Sequence, residues 1–157
     1  MVERRNEPRE IFTVEVNMNR EIRFRGKHVH ALGANKHLNG TWVYGLLSAE
    51  DYISTTYDDG TYAEKLIDKN TIGQFIGEND KNGTPIYEFD IVEIERPCNG
   101  QKNWLVVFEN GEFHLTSKYP DTNERLDIVN YDLVWESVNV IGNYFDNQEL
   151  LLHSDDI

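Results

Sequence analysis

The chain has 157 residues and 18.3 kDa, and its 28 Asp+Glu against 15 Lys+Arg leave a formal charge of −13. At 39% hydrophobic and 11% aromatic residues, a chain of this length carries enough large side chains to bury one core or two small ones, which excludes wholesale disorder. A single cysteine, Cys98, excludes a disulfide scaffold. No apolar run approaches the roughly 20 residues of a membrane-spanning helix, so the chain reads as cytoplasmic, with no membrane partner.

The charge is polarised. Residues 1–48 hold eight Lys/Arg against five Asp/Glu, whereas residues 49–157 hold seven against 23. A surface this acidic repels phosphate backbones and argues against sequence-independent nucleic-acid binding by the C-terminal two thirds. It also suggests an oligomer in which the basic segment of one copy, with Arg20, Arg23, Arg25 and Lys27, meets the acidic face of another.

In chain order, residues 21–30 (EIRFRGKHVH) alternate between Ile22 and Phe24 on one face and Arg23 and Arg25 on the other. That is the period of a half-buried strand with its arginines in solvent. Asn39-Gly40 predicts a turn into a second strand over residues 40–48, which leaves 31–39 as a loop. Residues 51–57 and 61–67 flank Asp58-Asp59-Gly60 and predict a hairpin, although Ala63-Glu64-Lys65-Leu66 also suits a short helix. Residues 77–85 are polar, glycine-bearing and end in Pro85, which marks a loop and the best internal boundary.

Beyond that boundary, residues 86–95 predict one strand, Trp104–Phe108 a second, and Glu112–Leu115 a third across the hairpin signal Asn110-Gly111. Residues 132–142, with Leu133, Trp135 and Val138, predict a further strand. Short strands about ten residues apart with turn signals between them predict a mainly β protein of α+β type with few short helices. Its parts are an extension over residues 1–17, a β-rich unit over 18–76, a loop over 77–83, a small barrel over 84–147 and a tail over 148–157.

Chemistry is sparse. His28, His30 and His37 offer H-x-H and a third imidazole, but with no Cys or carboxylate beside them they read as a solvated strand face rather than a metal site. Glu78 to Gly83 imitates a calcium loop until its twelfth position, where the bidentate Glu is Phe89, so a turn is the better reading. Nucleophile elbows, phosphate loops and zinc-protease helices are absent from the sequence. We therefore expect no enzyme and no cofactor. Trp42, Trp104 and Trp135 are expected in the core, and Tyr44, Tyr57, Tyr62 and Tyr87 at partly exposed positions suited to a protein interface.

Five segments read together carry a resemblance: REIRFRGK (20–27), GTWVYG (40–45), TIGQFIG (71–77), DKNGTPIYEFDIV (80–92) and VIGNYFDNQELL (140–151). In this order, over residues 18–152, the chain resembles the YopX family of phage and prophage proteins. The resemblance implies a source among temperate phages, mainly of Gram-positive bacteria, and an SH3-like barrel in the C-terminal half. It implies no catalytic residue and no settled activity. Family members begin at the Met-Asn-Arg-Glu matching Met18–Glu21, so residues 1–17 are an extension or an upstream start. Phe89 stands where the family has Gly, which speaks against a tight turn there.

The functional expectation is a phage or prophage accessory protein acting as a non-catalytic, oligomeric binding or regulatory module for a host or phage protein. The alternative is a nucleic-acid binder with Arg20, Arg23, Arg25 and Lys27 along one strand and Trp42 and Tyr44 as a stacking platform.

Overall fold

A computed structural model describes residues 20–98, 100–119, 125–126 and 134–152. The expectations for residues 1–17, Leu133 and the last five residues lie outside them. Strands dominate, and helix among the described residues is confined to 3-10 turns at Gly33–Leu38, Trp135–Ser137 and Gln148–Leu151. The mainly β class is therefore what the chain adopts.

The first sheet contains β1 (Phe24–His28), β2 (Trp42–Ala49), β3 (Tyr52–Thr56), β4 (Tyr62–Asn79) and β5 (Pro85–Tyr87), all pairing antiparallel. β1 pairs with both β2 and β4, so the first four strands close on themselves. Inside lie Val43, Ile53 and Ile67, packed by Phe24 and Ile72. Burying such side chains contributes roughly 1.5–3 kcal/mol each. The Asp58-Asp59-Gly60 hairpin forms as expected, and Ala63–Leu66 is strand rather than helix because it pairs residue by residue with β3, Thr55 opposite Ala63 and Tyr52 opposite Leu66.

β4 runs well past the expected end at residue 67. It serves β3 first, then β1, then β5, bending as it changes partner. Gly73 permits the last of these contacts, since a Cβ there would stand 2.6 Å from the carbonyl oxygen of Glu88.

The second sheet has the order β10-β6-β7-β8-β9, from β6 (Asp90–Cys98), β7 (Gln101–Glu109), β8 (Glu112–Thr116), β9 (Arg125–Leu126) and β10 (Asn139–Asn143). Asn110 and Gly111 take φ of 55° and 85° and close the β7–β8 hairpin, the left-handed pair that a two-residue turn requires. Where the resemblance implies an SH3-like barrel, the structure shows a five-stranded antiparallel sheet whose last strand returns beside its first. One face buries Ile86, Val92, Ile94, Cys98, Trp104, Val106, Leu115, Leu126 and Val138. The other buries Ile91, Leu105 and Val107 beneath Tyr144, Leu150 and Leu151.

Three expectations change. The single strand over 86–95 is two, broken at Glu88-Phe89, because Phe89 itself adopts φ 68° and makes the tight turn that glycine would have made. Its backbone is held by a bond from its N–H to the Val106 carbonyl at 2.8 Å and one from the Tyr144 N–H to its own carbonyl at 2.9 Å. Trp135 lies in a 3-10 turn, half-buried against the second core, rather than in a strand. The polar boundary at 77–85 is a loop only over residues 80–84, since 77–79 end β4 and Pro85 opens β5, and it does not part the cores: β5 hydrogen-bonds to the first sheet while its Ile86 packs in the second.

Asp80 explains that turn. One carboxylate oxygen accepts the N–H groups of Asn82 (2.8 Å) and Thr84 (2.9 Å), and the other accepts that of Val140 (2.9 Å), which ties the loop to β10. Burial raises the carboxyl pKa, and these backbone donors outweigh it, so the group sits below the ordinary carboxylate range.

Candidate functional site

Alternation along β1 and the residue before it sends Arg23, Arg25 and Lys27 to the outside of the closed strands, away from Phe24. The second sheet and its turns cover that outer face. Rings from three different strands slot between the cations. The Lys27 ammonium lies 5.3 Å from the centre of a Trp42 ring and the Arg25 guanidinium 4.5 Å from it. Arg25 also faces Tyr87 at 4.9 Å, and Arg23 lies between Tyr87 at 5.7 Å and Phe75 at 4.7 Å. The result is a ladder of three cations and three rings, each contact worth about 0.5–2 kcal/mol according to its exposure.

Carboxylates from the second sheet complete it. Asp90, at the start of β6, meets Arg25 at 2.6 Å with its other oxygen on the Tyr87 N–H at 2.8 Å. Both side chains are buried. Burial pushes the Asp90 carboxyl above its ordinary pKa, against the pull of Arg25 and the Tyr87 N–H. Asp146, in the turn after β10, accepts from the Lys27 ammonium and from the Trp42 indole N–H at 3.2 Å. Burial acts upward on Asp146 as well, but the bonds from Lys27, Asn143 and Trp42 hold it below the usual range. Phe145 packs on Trp42 with ring centres 6.0 Å apart, and on Phe89 at 5.4 Å.

The expected site residues are thus dispersed by role. Arg25 is buried in an ion pair rather than displayed in solvent, because the partner elements cover this face of β1. Lys27 pairs with Asp146, and Arg23 with Glu21 at 3.1 Å. Trp42 is half-buried in the ladder instead of in the core, unlike Trp104. Tyr44 is 44% exposed, with its ring 5.6 Å from that of Tyr87. Tyr57 and Tyr62 are exposed, whereas Tyr87 is 3% exposed because two guanidinium groups and two rings enclose it. Arg20 lines an open cavity of about 460 Å³ with Glu21, Arg23, Phe75, Glu78 and Glu136. There, burial and the neighbouring Glu136 raise the Glu78 carboxyl.

Sequence reasoning did not single out Phe75, Tyr87, Asp90, Phe145 or Asp146 as one constellation. They sit in segments that are legible as motifs, but 28 acidic residues make any single aspartate uninformative. The histidines do not converge: β1 ends at His28, His30 turns away at φ 57°, and His37 bonds the Ala34 carbonyl. Burial and nearby Lys65 lower the His28 pKa. Among the described residues no three His, Cys, Asp or Glu side chains gather as metal ligands, and no helix is long and apolar enough to cross a membrane.

Two antiparallel sheets joined through a cation and ring ladder define a small mainly β protein whose motif segments meet at the junction. The family described as "YopX: YopX protein" matches residues 34–152, and the chain belongs to the YopX family. Trp42, Phe75, Tyr87, Asp90 and Asp146 lie inside the matched span, and the cations of β1 lie before it. No curated protein matches. Among solved structures, the chain is similar to one titled "Crystal structure of protein EF1440 from Enterococcus faecalis", with 24% identity over 65% of this chain and 76% of that one. The TM-score is 0.37, a superposition too loose to bear on the site.

Proposed function

We propose that the chain is a phage or prophage accessory protein of the bacterial cytoplasm, working as a non-catalytic, oligomeric binding or regulatory module for a host or phage protein. The observation that carries this reading is the outer face of β2–β4 beyond the ladder, where Tyr44, Leu46, Tyr52 and Tyr62 are 44%, 57%, 38% and 70% exposed. The register pairs Leu46 with Ser54, Ser54 with Glu64 and Thr56 with Tyr62, which puts these side chains on one face. Tyrosine-bearing apolar surfaces of this kind suit protein interfaces. The nucleic-acid alternative loses support, since Arg23, Arg25 and Lys27 each have a carboxylate partner in the chain.

Size exclusion with light scattering, and cross-linking in bacterial lysate, compare the wild type with Leu46→Ser/Tyr62→Ser. The expected result is a discrete cross-linked band that the variant loses. Identical profiles from both proteins would overturn the reading.

A further inference from the structure

The outer face of the first sheet is half covered and half open, and the covered half shows what it pairs with. There, rings and carboxylates enclose cations: Arg25 lies between Trp42 and Tyr87 and pairs with Asp90, and Lys27 lies on Trp42 and pairs with Asp146. Continuing along β2 onto β3 and β4, the same face presents Tyr44, Tyr52 and Tyr62, with Leu46 as an apolar anchor and Glu64 beside Tyr62. Asp58 and Asp59 stand exposed in the adjoining hairpin turn. Basic side chains lie off this face: Lys65 is on the inward register opposite Ile53, and Lys69 pairs with Glu50 beyond it. Rings and carboxylates are thus present without the cations that complete them in the covered half.

We infer that the open face of β2–β4 docks a basic polypeptide segment, one that places Arg or Lys side chains on Tyr44, Tyr52 and Tyr62 and against Glu64 while seating an apolar residue on Leu46. This rests on the reading of that face as a docking surface and names its partner's chemistry. Charge complementarity chooses the occupant. A second copy of a chain of charge −13 meets like charge, and a phosphate backbone does too. Closure of β1–β4 gives each of the first three strands a neighbour on both sides, which favours docking by side chains over the addition of a strand. Exposed guanidinium or ammonium contacts with a ring are worth about 0.5–1 kcal/mol each, or two- to fivefold in affinity per tyrosine.

Titration of the full-length protein with labelled short peptides tests this. The peptides alternate Arg with Leu or Glu with Leu, and an oligothymidylate is the third probe. We expect the Arg-Leu peptide alone to bind, Tyr52→Ala and Tyr62→Ala each to weaken it two- to fivefold, and Glu64→Gln to weaken it while Glu149→Gln, an exposed carboxylate in the 3-10 turn Gln148–Leu151, does not. Equal effects of the two Glu→Gln changes, or none from the tyrosines, would mean diffuse attraction and overturn the inference. Tyr62-dependent binding of the Glu-Leu peptide or the oligothymidylate, or self-association through Leu46 that the Arg-Leu peptide cannot compete, would overturn the cationic partner while leaving the docking surface standing. No binding and no self-association would remove both.

Discussion

Arg25 and Asp90, 65 residues apart in sequence, meet at 2.6 Å with both side chains buried, and this pair fastens the first strand of one sheet to the first strand of the other. A buried ion pair need not stabilise more than an apolar pair of the same shape, but losing one partner leaves a bare charge in a low dielectric. Arg25→Met should therefore cost about 3–5 kcal/mol, and Arg25→Met/Asp90→Asn should recover a good part of it. Urea denaturation of the single and double variants checks this, and a double variant as unstable as the single one would locate the cost in the lost stacking on Trp42 and Tyr87.

Lys27 and Asp146 make the contrasting case. Asp146 is partly exposed, so solvent screens the pair and Lys27→Met should cost no more than about 1 kcal/mol. The same denaturation experiment in high salt should shrink the difference between Lys27→Met and wild type while leaving the Arg25→Met deficit in place.

Acid should loosen the turn at residues 80–84. Asp80 is held below its ordinary range by three backbone donors despite its burial. Its contribution is complete above the unfolded pKa of about 4 and is lost as pH falls through the lower folded value. Asp90, raised by burial, acts in the opposite sense, contributing less as pH rises from the unfolded value of about 4 through its raised folded value. Thermal melts from neutral pH downward should show a shallower acid loss for Asp80→Asn than for wild type, and parallel curves would refute the assignment.

Phe89 holds φ 68° while its ring contacts Phe145 and Tyr119. Alanine there loses the ring and keeps the strained backbone, whereas glycine loses the ring and relieves it. Phe89→Gly should therefore be more stable than Phe89→Ala by about 1 kcal/mol, the reverse of the order inside ordinary strands. Melting temperatures of the two variants decide the point.

Local grammar made much of this molecule readable. Asn110-Gly111, Asn39-Gly40 and Asp58-Asp59-Gly60 each mark a turn by their chemistry, and alternation marks the faces of β1 and β2. What alternation cannot convey is whether the polar face of a strand meets water or another sheet. Arg23 and Arg25 read as solvent-facing for that reason, and Trp42, large and aromatic, read as core. The bend of β4 depends on three successive partners, which no window of sequence contains. The turn at Phe89 depends on contacts with Val106 and Tyr144 that hold an aromatic residue in a glycine's conformation.

The ladder also sets an order of events during synthesis. A ribosome delivering this chain from its N-terminus can close β1–β4 once residue 79 has emerged, but Arg25 then waits for Asp90 and Lys27 for Asp146. Until residues 90–146 appear, the nascent first sheet carries its cations on an uncovered outer face. The junction between the sheets is therefore sealed only after the first sheet has closed, and a chain stopped short of Asp90 would present to its surroundings a basic strip that the longer chain covers.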